Sequence, residues 1–129
     1  MYDYLQMKCD EAEGEAASRL RQQKDDLLSR FPGIPPDALP GYLSETHRRC
    51  GKRTCHCADG KGHPVWSLTF MVDGQKRVEW IPYEWVGQIR PLVEEGRAYK
   101  SAVASVFAAN AQLLALRRKQ ETPRRPRRR

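Results

Sequence analysis

Cys50, Cys55, Cys57 and His63 fall within the segment RRCGKRTCHCADGKGHP, which holds three of the chain's four cysteines. Three soft thiolates and an imidazole form the ligand set of a closed, four-coordinate Zn2+ site of the structural kind. The spacing C-x4-C-x-C-x5-H places Cys55 and Cys57 one residue apart, so both reach one ion only if the backbone curls tightly. Gly51, Gly60 and Gly62 stand where such turns are needed. His56 and His47 are alternative fourth ligands. His63 takes precedence because it closes the loop just before an extended segment begins, whereas His56 lies between two ligands. The competing readings are reduced cysteines in an exposed loop and a disulfide framework. The start of the chain, MYDYLQMKCDE, disfavours the latter, because it has no basic n-region or apolar h-region to direct export to an oxidising compartment. With all four positions filled by protein, the ion has no open coordination site for catalysis. A phosphate-cradling loop and a nucleophile triad are also missing from the sequence, so a non-enzymatic protein is expected.

The same segment is basic. Arg48, Arg49, Lys52, Arg53 and Lys61 surround the ligands, against Glu45 and Asp59. Guanidinium groups on a rigid zinc knuckle suit phosphate or base-edge contacts, although they also offset the charge of the thiolates. A second basic cluster closes the chain. From Arg117 onward there are eight basic residues and one acidic, a surplus equal to the whole net charge of +7, so the rest of the protein is formally neutral. In ETPRRPRRR two prolines and crowded like charges (Arg124, Arg125, Arg127, Arg128 and Arg129) oppose a helix and favour a disordered, phosphate-seeking tail. The partner these features imply is nucleic acid, DNA ahead of RNA. The alternative is a protein-interaction adaptor whose zinc is purely structural.

The run Cys50-Gly51-Lys52-x-x-Cys55-x-Cys57, then Gly60, His63, Pro64 and an aromatic strand, resembles a family of short, uncharacterised bacterial domains with the pattern CGKxxCxC…GxxHGPxxY. The resemblance covers about residues 40–95. It implies a metal site and a mobile-element setting, because members are often encoded near transposases, and it makes a transposase a candidate partner. It supplies no reaction. The chain departs from the pattern in lacking a glycine between His63 and Pro64 and in carrying Trp66 in place of tyrosine.

Several elements must position these groups. Residues 3–30 carry Leu5, Cys9, Ala12, Ala16, Leu20 and Leu27 at helical spacings, with Gly14 as a weak point and Pro32-Gly33 as the stop. Cys9 reads as a small buried hydrophobe on that stripe. Residues 32–41, PGIPPDALPG, form a stiff connector. Residues 42–49 make a first strand. Trp66, Leu68, Phe70 and Val72 then alternate with Ser67, Thr69 and Met71, the pattern of a strand with one buried face. For the return strand, Gln75–Ile81, a three-residue loop is expected, because it sets Trp66 opposite Trp80 and Leu68 opposite Val78 and gathers the apolar residues on one face. Tyr42, Trp66 and Trp80 accordingly read as core, with stacking on bases as the alternative.

Pro82 opens a long helix, residues 83–119. In it Trp85, Ile89, Leu92, Gly96, Tyr99, Val103, Val106, Asn110 and Leu113 recur every three and four residues, a coiled-coil seam. Pro91 and Gly96 predict a kink near Arg90 or two helices meeting near Gly96. The seam is expected to pack on the first helix or on a second chain as a homodimer. The fold class is therefore α+β: a zinc-stabilised hairpin or three-stranded antiparallel sheet between an N-terminal helix and a long C-terminal helix. The tail, residues 120–129, lies outside it. Mean hydropathy is −0.75 and no apolar run approaches the roughly 20 residues of a membrane span, so a soluble, cytoplasmic protein with no membrane partner is expected.

Overall fold

The computed structural model describes residues 12–49, 51–52, 54, 60 and 62–121. Among them are two helices and one three-stranded antiparallel sheet, an α+β arrangement: α1 (Glu15–Arg30), β1 (Tyr42–Arg48), β2 (His63–Val72), β3 (Gln75–Ile81) and α2 (Tyr83–Glu121). The strands lie in sequence order, β1-β2-β3, as successive hairpins require. The chain divides into two compact units, Met1–Arg97 and Ala98–Arg129.

In the first unit the sheet register departs from the expectation above. Asp73 (φ 52°) and Gly74 (φ 80°) form a two-residue turn, with Val72 opposite Gln75, Phe70 opposite Arg77 and Leu68 opposite Glu79. Trp66 pairs with Ile81, and Trp80 with Ser67. Two consecutive positive φ angles are what an Asp-Gly hairpin turn supplies, and their twist matches that of the strands. This local preference wins over collecting every apolar side chain on one face. Because side chains alternate, a shift of one residue sends Val78 and Trp80 to the face opposite Leu68.

Leu68, Ile89 and Val93 form the buried core, with Leu39, Leu43, Phe70 and Ile81 packed against it. One face of the sheet thus rests on the first turns of α2. Trp66 belongs to this side. The Arg90 guanidinium lies 5.2 Å from its ring centroid, and its indole N–H is buried without a hydrogen-bond partner among the described residues.

Helix α2 runs without interruption through Pro91 and Gly96, so the expected junction of two helices near Gly96 is absent. Pro91 removes one backbone donor. The turns on either side are held by buried Ile89 and Val93. Gly96 serves a contact instead of a break: a Cβ there would collide with the Leu39 carbonyl. Nearby, the Leu39 N–H donates to the Leu92 carbonyl at 3.0 Å, fixing the connector on the helix.

In α1 the helical part described begins after Gly14 (φ 110°); Cys9 and the rest of residues 1–11 lie outside the described residues. The sheltered line of α1 is Ala17, Arg21, Lys24 and Leu28, whereas Leu20, on the expected apolar stripe, is 65% exposed. The Lys24–Asp37 ion pair at 3.3 Å joins the helix to the connector and orients it this way.

In the second unit, the helical residues from Ala98 to Glu121 contain no buried position. Phe107 and Leu114 are 66% and 68% exposed. No helix is long and apolar enough to cross a membrane among the described residues.

Candidate nucleic-acid and metal-binding hairpin

Residues 49–62 connect β1 to β2, and the described residues among them form the neck of the hairpin. Its stem is the pair Arg48 and His63. One residue inside, the Arg49 Nε–H donates to the Gly60 carbonyl at 3.1 Å and ties the two sides together. Gly62 (φ 97°) completes the neck: a Cβ there would stand 2.5 Å from the Arg48 carbonyl oxygen, so only glycine fits this crossing without displacement. Gly51 (φ 86°) has the same kind of backbone in open space.

The sequence-derived ligands sit on this frame unequally. His63 begins β2, partly buried, while Cys50, Cys55, Cys57 and the alternative ligand His56 lie outside the described residues. His63 is paired with Arg48 across the strand pair, and paired antiparallel residues stand about 5 Å apart. His47 pairs with Pro64 and alternates onto the face opposite that of His63.

The basic residues also separate. Arg48 ends β1 with its guanidinium 5.6 Å from the centroid of the Trp80 ring. Arg49 is engaged at the neck, and Lys52 is exposed. Arg53, Lys61, Arg124, Arg125, Arg127, Arg128 and Arg129 lie outside the described residues.

Register divides the three aromatics Tyr42, Trp66 and Trp80, which the expected three-residue loop groups as core. Trp66 faces the helix, but Tyr42 and Trp80 are 49% and 56% exposed on the other face. Lys76, opposite Met71, joins that open face and carries no sequence signal beyond its charge. The one clue available beforehand was the Asp-Gly pair, since a two-residue turn forces this division.

The pattern of a family described as "Domain of unknown function (DUF6788)" matches residues 17–91, which take in most of α1, the sheet and the start of α2. No curated protein and no solved structure matches the chain.

Proposed function

The chain belongs to this family of domains of unknown function, DUF6788, and from its own residues we propose that it is a non-enzymatic nucleic-acid-binding accessory protein with a zinc-supported hairpin loop. The observation that carries the reading is the neck: Arg48 and Arg49 are consecutive at the end of a braced strand pair, and the connecting segment adds Lys52, Arg53 and Lys61 in sequence. A braced cluster of cations positions phosphates at little entropic cost, and zinc on Cys50, Cys55, Cys57 and His63 would extend that bracing through the loop. The arginine tail adds contacts that do not depend on sequence. DNA is favoured over RNA, in a mobile-element setting with a transposase as candidate partner, in keeping with the resemblance of the Cys/His segment. The site of action proposed is the cytoplasm.

Binding of the full chain to labelled duplex DNA, single-stranded DNA and RNA over a salt series tests the reading. Affinity that falls linearly on a log–log plot with salt supports it. Absence of binding to all three at low ionic strength overturns it.

A second reading is favoured by the exposed apolar residues of α2. Ser101 to Leu116 contains no charged residue, and Tyr99, Val103, Val106, Asn110 and Leu113 keep the seam spacing. Most helical stability in proteins comes from packing an apolar face rather than from propensity, so such a surface calls for a partner helix. A second copy supplies one whose Asn110 pairs with this Asn110 across the seam. On this reading the protein is a homodimeric adaptor.

A further inference from the structure

The open face of the sheet, opposite the helix-covered core, alternates aromatic, small and basic residues. Tyr42, Thr69 and Val78 form one row across the three strands, with Ser44, Ser67 and Trp80 in the next. Ser67 is buried and shares a 3.3 Å hydrogen bond with Ser44 Oγ, so the floor between the rings is low and satisfied. Every acidic residue of the strands is elsewhere: Glu45 pairs with Trp66 and Glu79 with Leu68, which places both on the helix side. The charges left on the open face are the cations Arg48 and Lys76.

Resting on the nucleic-acid reading, we propose that this face is a base-stacking platform for single-stranded nucleic acid, with Trp80 and Tyr42 as the stacking rings and Arg48 and Lys76 as phosphate contacts. A flat sheet with exposed rings accepts splayed bases, whereas a duplex keeps its base faces stacked on one another. The strand geometry sets the two rings about 12 Å apart, two strands over and two residues along. Each therefore takes a separate base. Arg48 already lies over the Trp80 ring, the position from which a guanidinium meets either a base plane or the adjoining phosphate. The loop neck opens from the same strand ends, so a strand leaving the platform runs onto Arg49 and Lys52. The charge of the face argues for this occupant over an apolar protein surface, because both strand charges on it, Arg48 and Lys76, are cations and complementary to a polyanion.

The experiment compares full-length wild type, Trp80→Ala, Tyr42→Ala and Trp80→Phe for binding to an oligo-dT, an oligo-U and a duplex of equal length, each over a salt series. Trp80→Ala should weaken oligo-dT binding roughly tenfold or more while leaving the salt slope and duplex affinity unchanged, and Trp80→Phe should recover most of the loss. Tyr42→Ala should act in the same direction. The ratio of oligo-dT to oligo-U affinity identifies which strand chemistry is taken. If circular dichroism shows Trp80→Ala to be unfolded, Val78→Glu at an exposed position of the same face should reduce single-strand binding. A platform is ruled out if the folded variants bind oligonucleotides as wild type does, or if single-strand and duplex affinities fall equally. In that case salt-dependent binding by wild type still upholds the broader reading. Absence of any binding by wild type removes both.

Discussion

The Arg48 guanidinium lies 5.6 Å from the centroid of the Trp80 ring, linking the two outer strands of the sheet across its open face. Arg48 ends β1 and Trp80 precedes the last residue of β3, so the contact exists only in the register set by the Asp73-Gly74 turn. It joins the most exposed strand tryptophan to the neck of the cysteine-rich loop. At a surface site such a pair contributes about 0.5–1 kcal/mol, enough to orient a side chain and too little to explain the fold.

The first expectation concerns zinc. One ion per chain, held by Cys50, Cys55, Cys57 and His63, should be found by elemental analysis, and Cys55→Ser should lower both zinc content and Tm. His63→Ala should lose the metal and His56→Ala should keep it. Undiminished thermal stability in strong chelator would contradict a structural ion.

Gly62→Ala and Gly51→Ala form a matched pair at the same loop. Both residues have positive φ, but only at Gly62 would the new Cβ press on the Arg48 backbone. Gly51→Ala should cost about 1 kcal/mol, the ordinary penalty of that conformation, and Gly62→Ala distinctly more. Thermal melts that rank them the other way would show that the neck is not the constrained point.

At Gly96 helix propensity and packing make opposite predictions. Alanine is favoured over glycine within a helix by about 1 kcal/mol, yet here its Cβ collides with the Leu39 carbonyl. Gly96→Ala should therefore lower stability, and hydrogen exchange at the Leu39 amide should accelerate. A stabilised variant would mean that the connector is not seated on α2.

The tail should govern the salt dependence of binding. Removing residues 122–129 takes away five arginines and leaves α2 whole. Each phosphate contact contributes about 0.9 to the slope of log affinity against log salt on duplex DNA, so the slope should fall by up to about 4.5. An unchanged slope would assign the phosphate contacts to the hairpin and to the basic end of α2, Arg117, Arg118 and Lys119.

Asn110→Leu tests the adaptor reading. In a seam between two copies, replacing a polar a-position residue should raise stability and loosen control of oligomer number. Sedimentation of both proteins reads this directly, and a wild type that stays monomeric at high concentration would remove the homodimer.

The sequence by itself determined the alternation of β2, the turn at Asp73-Gly74, the return strand Gln75–Ile81 and a long helix after Pro82, because each follows from local periodicity or from residues with one strong backbone preference. It also makes the Cys/His segment a candidate metal site, since ligand chemistry depends on residue type and spacing. The tertiary structure decided which face each residue serves. A one-residue difference in loop length separates Trp66 from Trp80, and the burial pattern favoured the longer loop while turn geometry selected the shorter. Gly96 reads locally as a break in a helix; only the approach of Leu39, 57 residues earlier in the chain, turns it into a contact. Local preference settles conformation residue by residue. Faces and contacts come from pairings distant in the chain, and so wait on the fold.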